Sequence, residues 1–214
     1  MLDNNNIPPI SEDIVDQLCN GATVENAGIN FSFEPAQNLL VAEVTQAAEA
    51  FEAMHAFVSF ISTLSEATGG NKLEVVIDNS EAEQALDFFS SGIQPEVMAE
   101  LGKRADIFVA MHENNSLPIK HAAAVASYQS GARLHESRGN MEPQEFIARS
   151  LERQGTGYVV VHPDGQYTQL DCIDLSGACV VYATVQDGTS HENIVTAAQN
   201  FFRDKPQAST PREG

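Results

Sequence analysis

Basic residues are scarce in this sequence: 11 Lys and Arg stand against 30 Asp and Glu, a formal charge of −19 over 214 residues. A field of that sign repels nucleic-acid phosphates and anionic membrane surfaces, so direct binding to either is not expected. Cysteine is scarce too. Cys19, Cys172 and Cys179 form an odd set without a CxxC pair, which argues against a disulfide framework or a cysteine zinc site and favours a reducing, cytoplasmic setting. No apolar run reaches the ~18 residues that a membrane span needs. The richest, 53–64, is broken by His55, Ser59, Ser62 and Thr63. The N-terminus has neither the basic start nor the apolar core of a secretory signal.

Catalytic signatures are also missing. There is no GxSxG elbow and no GxxxxGK[ST] loop. Three histidines precede glutamate, but the residues four places after His112, His135 and His191 are Ser116, Gly139 and Val195, so no HExxH zinc motif forms. These pairs read as surface dipeptides of a glutamate-rich chain. Cys172 and Cys179 lie on β-like segments near His162 and would allow a cysteine–histidine pair, although a buried structural cysteine is the commoner use.

What is present points to a folded chain. A hydrophobic content of 43% with 14 Gly and 9 Pro is ordinary for a globular protein. The expected organisation is a flexible leader over 1–10, one α/β domain over 11–203 and a disordered tail over 204–214. The acids are unevenly placed. Residues 1–101 hold 17 of them against Lys72 alone, whereas residues 102–214 hold 13 against 10 bases. An imbalance of that kind marks either a charged interaction surface or a surface kept acidic for solubility.

Periodicity gives the elements. Ser11 caps a short acidic helix running to about Asn20. The alternation of Ile29–Phe33 reads as a brief strand, and Glu34-Pro35 as a helix start. Leu40, Val44, Ala47, Phe51, Met54, Val58 and Ile61 then recur at steps of four and three, which predicts one long helix near 37–67. A rival parsing pairs Asn38–Val44 with Ile29–Phe33 as a hairpin and caps a shorter helix at Thr45. The unbroken spacing favours the longer helix and would also suit a homodimeric coiled coil. Phe57, Phe60 and Leu64 widen the stripe beyond a two-helix seam, however, and point to burial in the chain's own core.

Strands are predicted near 73–77, 105–111, 158–161, 166–170 and 178–185. Helices are predicted over 81–90, from Pro95, from Pro118, from Pro143 and after Ser190. The fold class is α/β or α+β, a small mixed sheet packed by several helices.

The sharpest local geometry is Asp78-Asn79-Ser80, where a buried strand ends and a helix begins, the place at which open α/β sheets collect ligands. With Asp164 in the YVVVHPDG run, these residues loosely resemble the metal-ion-dependent adhesion site of von Willebrand A domains. The resemblance implies a magnesium ion held by Asp78, Ser80 and Asp164. The sequence departs from that pattern at Ala82, where the second serine would stand, and offers no assignable threonine ligand.

Two functions follow. The first is a non-enzymatic binding protein of the inhibitor, immunity-protein or chaperone kind, including a nucleic-acid mimic. It would engage a basic protein through Glu12, Asp13, Asp16, Glu43, Glu49, Glu52, Glu81 and Glu83. The alternative is a metal-dependent α/β protein or hydrolase built on Asp78, Ser80 and Asp164.

Overall fold

The stretch that reads as one long helix divides in two. In the computed structural model, which describes residues 9–45, 50–79, 95–112, 156–169, 175 and 178–205, Leu39–Val44 is a strand and the helix begins at Ala50. The reason lies in the spacing itself. A step of four, such as Leu40 to Val44, keeps a side chain on the same face in a helix and in a strand, because four is also even. The tie is broken by pairing partners far along the chain. Leu39–Val44 lies between an antiparallel and a parallel neighbour, with five of its six residues buried, as expected of a strand covered on both faces. Glu34-Pro35 starts a turn rather than a helix, with the N–H groups of Gln37 and Asn38 donating to the carbonyls of Glu34 and Pro35.

Along the chain the described elements are α1 (Glu12–Cys19), β1 (Val24–Asn26), β2 (Ile29–Glu34), β3 (Leu39–Val44), α2 (Ala50–Ala67), β4 (Leu73–Asp78), α3 (Pro95–Arg104), β5 (Ala105–His112), β6 (Thr156–Val161), β7 (Tyr167–Gln169), β8 (Val180–Val185) and α4 (His191–Asp204). The strands form one eight-stranded sheet in the order β1-β2-β3-β4-β5-β8-β6-β7. Its middle five strands are parallel and antiparallel hairpins close both edges. The mixed α/β class is as expected, but the sheet is larger than predicted. The predicted helices over 81–90, from Pro118 and from Pro143 lie outside the described residues, as do residues 1–8 of the leader and 206–214 of the tail.

Register assigns the side chains to faces. One row runs Phe31, Ala42, Ile77, Val109, Tyr182 across neighbouring strands, and the next runs Ser32, Val41, Val76, Phe108, Val181. The first row faces α2, whose Phe60 ring stacks on Phe31 at 3.8 Å between centroids. Met54, Phe57, Val58, Ile61 and Leu64 of α2 are buried as well, so the stripe serves the chain's own core. Beside α2 runs α3, where Arg104 bonds Glu66 at 2.9 Å and the Ser62 carbonyl at 3.4 Å. The second row faces α4, whose Phe201 and Phe202 rings meet Phe108 at 5.7 and 6.3 Å. On β2 this second side carries Asn30, Ser32 and Glu34, half-buried or exposed, the alternation of a strand covered on one side only.

The β2–β3 turn offers a test in which strand and helix predict opposite signs. Asn38 holds φ +56°, a left-handed conformation that asparagine tolerates and alanine does not. Asn38→Ala is therefore expected to cost about 1 kcal/mol and Asn38→Gly almost nothing. In a helix interior alanine would instead be the stabilising choice and glycine the costly one. Urea unfolding midpoints of the two variants distinguish the cases.

Candidate functional site

Strand β4 reads LEVVID, and after the apolar Val75–Ile77 its last residue is an acid that is buried, unlike the half-buried Glu74. Asp78 is 1% exposed, a carboxylate at the carboxyl end of a central parallel strand. Burying it requires partners. One comes from 113 residues further on: the Nδ1 of His191 lies 2.6 Å from Asp78 Oδ2. A carboxylate only accepts, so Nδ1 carries the hydrogen and donates it.

His191 is where it is because β8 runs parallel to β4 and ends at the same edge, so the loop after it delivers α4 there. Ser190 caps that helix, accepting from the Asn193 N–H at 3.3 Å. Three residues into the helix, Asn193 Nδ2 donates to the Pro163 carbonyl at 2.5 Å. The first turn of α4 is thus pinned to β4 at one end and to the β6–β7 turn at the other. The imidazole is 44% exposed on its side chain, and among the described residues Nδ1 makes its one hydrogen bond.

A second carboxylate acts on the same ring. Glu43 is the Cα partner of Asp78 on β3 and shares its face of the sheet. The hydrogen bond to Asp78 is the main cause that raises the His191 pKa above 6.5; burial opposes it, and the charges of Asp78 and Glu43 add to it. The cluster is an imidazole hydrogen-bonded to one buried carboxylate, with a second carboxylate beside that one on the neighbouring strand, at the carboxyl edge of a parallel sheet, where α/β proteins collect ligands.

Other expected site residues are dispersed. Asp164 sits in the β6–β7 turn with its carboxylate accepting from the Gln166 N–H at 3.1 Å. Between its strand and β4 lie β5 and β8, so three strand spacings separate it from Asp78, roughly 14 Å. One ion with bonds of about 2 Å does not bridge that span. Ser80 lies outside the described residues. Among those described, no group of three or more His, Cys, Asp or Glu is placed to hold a metal ion.

The cysteine–histidine pairing is corrected by topology. His162 follows the carboxyl end of β6 and Cys179 precedes the amino end of β8, and the two strands are parallel. They stand at opposite edges, about 20 Å apart. Both ring nitrogens of His162 are engaged, with Gln186 at 3.0 Å and Thr168 at 3.2 Å. Cys172 lies outside the described residues.

Of the acidic set, Glu12, Asp13 and Asp16 lie together on α1, exposed. Glu52, on α2, is exposed and lines an open cleft of about 610 Å³ with Ser11 and Ile14 of the α1 segment. Glu43 is separate from them, on the face covered by α4. Glu49, Glu81 and Glu83 lie outside the described residues. The described bases up to His112 are all paired elsewhere: Lys72 with Asp106 at 2.8 Å, Lys103 with Glu100 at 2.9 Å, and Arg104 with Glu66 and Glu100.

Sequence reading missed His191. As a His-Glu dipeptide it carried no signal, and its partner is set by strand order alone. No family model, curated protein or solved structure matches the chain. The chemistry of the site therefore rests on its own residues. Among the described residues, no helix is long and apolar enough to cross a membrane.

Proposed function

We propose that this chain is a binding protein that engages a basic protein partner through the acidic face of α1, in the manner of an inhibitor, immunity protein or chaperone. The observation that carries the reading is the charge of Glu12, Asp13 and Asp16, which no base among the described residues pairs. All three are exposed on one helix, Glu52 lines the adjoining cleft, and every described base before β6 is committed to another acid. Solubility alone would be served by acids spread evenly; a concentrated, unpaired set also steers an oppositely charged surface into contact.

Salt provides the test. The immobilised chain is expected to retain basic proteins from an extract of its source cells at about 0.1 M salt, where the Debye length is about 10 Å, and to release them near 1 M, where it is about 3 Å. The triple variant E12K/D13K/D16K should retain at least about tenfold less of the same proteins. Retention that neither salt nor the triple variant alters overturns the reading.

A further inference from the structure

We propose that Asp78 and His191 form a general acid–base site, with His191 Nε2 activating water toward a neutral acyl ester. The site is independent of the α1 surface. It lies on the α4 side of the sheet, whereas α1 packs against α2 and β2, with the Ile10 N–H donating to Thr63 Oγ1 of α2.

Three features of the geometry point to proton transfer. The carboxylate is fixed: Asp78 is 1% exposed at the end of a strand hydrogen-bonded on both sides. The imidazole is oriented: a 2.6 Å bond holds Nδ1–H on Asp78, which leaves Nε2 as the basic nitrogen of the neutral ring. The ring is also reachable, with 44% of its side chain exposed. A buried acceptor, a fixed tautomer and an accessible second nitrogen are what a general base needs. Anchoring α4 would require the bond but not a ring left 44% exposed.

The surrounding charges select the substrate class. Asp78 is bonded to the imidazole and Glu43 stands beside Asp78 on the same face of the sheet, so a phosphate ester or a carboxylate meets repulsion, whereas a neutral ester does not. When the proton leaves water for Nε2, the imidazolium that forms is held against the Asp78 carboxylate, with the Glu43 charge on the next strand. As the water oxygen bonds to the acyl carbon, its proton passes to Nε2. Collapse of the tetrahedral adduct breaks the ester C–O bond, and Nε2 returns the proton to the departing alkoxide. Acid and alcohol are the products, and water is the one co-reactant.

The experiment uses the full chain with p-nitrophenyl acetate as the probe. The protein-dependent rate is expected to fall about 100-fold in His191→Gln and in Asp78→Asn. It should be unchanged in His162→Gln, whose ring nitrogens are both engaged within the fold. In the wild type the rate should rise with pH through the His191 pKa read by NMR, and imidazole ¹⁵N shifts should show the Nδ1–H tautomer of the neutral ring. A rate that persists in folded His191→Gln overturns the proposal. So does an Nε2–H tautomer or a flat pH profile in the wild type, and these two readings need no variant to fold.

Discussion

Phe60→Ala is expected to lower the stability of the chain by about 3–5 kcal/mol, the usual cost of emptying a phenylalanine site in a close-packed core. Phe60 is fully buried on α2 and lies ring over ring on Phe31 of β2, with centroids 3.8 Å apart and planes 7° from parallel. Alanine removes both the apolar area and the stacked partner. A typical domain has about 5–15 kcal/mol in reserve, so a loss of this size shifts the urea midpoint far enough to measure with the slope unchanged. Phe31→Ala should cost a similar amount. In the double variant the two losses should fall short of additive by about 0.5–1.5 kcal/mol, because the ring pair is lost only once. A loss below about 1 kcal/mol at Phe60 would place the ring outside the core.

That pair joins a helix and a strand from distant parts of the chain, and only part of such an arrangement is encoded locally. The apolar stripe through Met54, Val58 and Ile61 correctly identified a helix with a wide buried face, and Leu73–Ile77 was legible as a buried strand from its β-branched apolar residues, which Glu74 alone interrupts. Asp187 to Ser190 was legible as the lead into a helix because capping chemistry is local. The spacing of Leu40 and Val44 satisfies both periods, and the strand neighbours that decide between them, Phe33 and Val75 beside Leu40 and Ile29 beside Val44, act through tertiary pairing rather than local preference.

The candidate site divides along the same line. Asp78 could be singled out, since an acid that ends an apolar strand has a local signature. His191 could not, because nothing near it in sequence says that β8 lies two places from β4 and delivers the next helix to the same edge. Asp164 illustrates the converse. Motif alone pairs this strand-end acid with Asp78, whereas the strand order puts β5 and β8 between them.

The His191–Asp78 bond should also appear as a pH dependence of stability. The folded pKa of His191 is raised above 6.5, first by the hydrogen bond to Asp78, then by the charges of Asp78 and Glu43, against the opposing effect of burial. A group whose pKa is higher folded than unfolded binds its proton more tightly in the native state. The stability it contributes is complete below the unfolded pKa and is lost as pH rises through the folded one. His191→Gln should therefore be less stable than the wild type by about 1.5 kcal/mol near pH 6, the lower end for a bond to a charged group because the ring is partly exposed. The gap should narrow as pH climbs from about 6.5 through the folded pKa, leaving only what the neutral hydrogen bond contributes. Glu43→Gln removes one of the two charges and should shift the window toward lower pH without closing it. Denaturant unfolding across this range measures all three chains. A gap that is constant with pH, or that widens as pH rises, would mean that His191 is not held as a cation against Asp78.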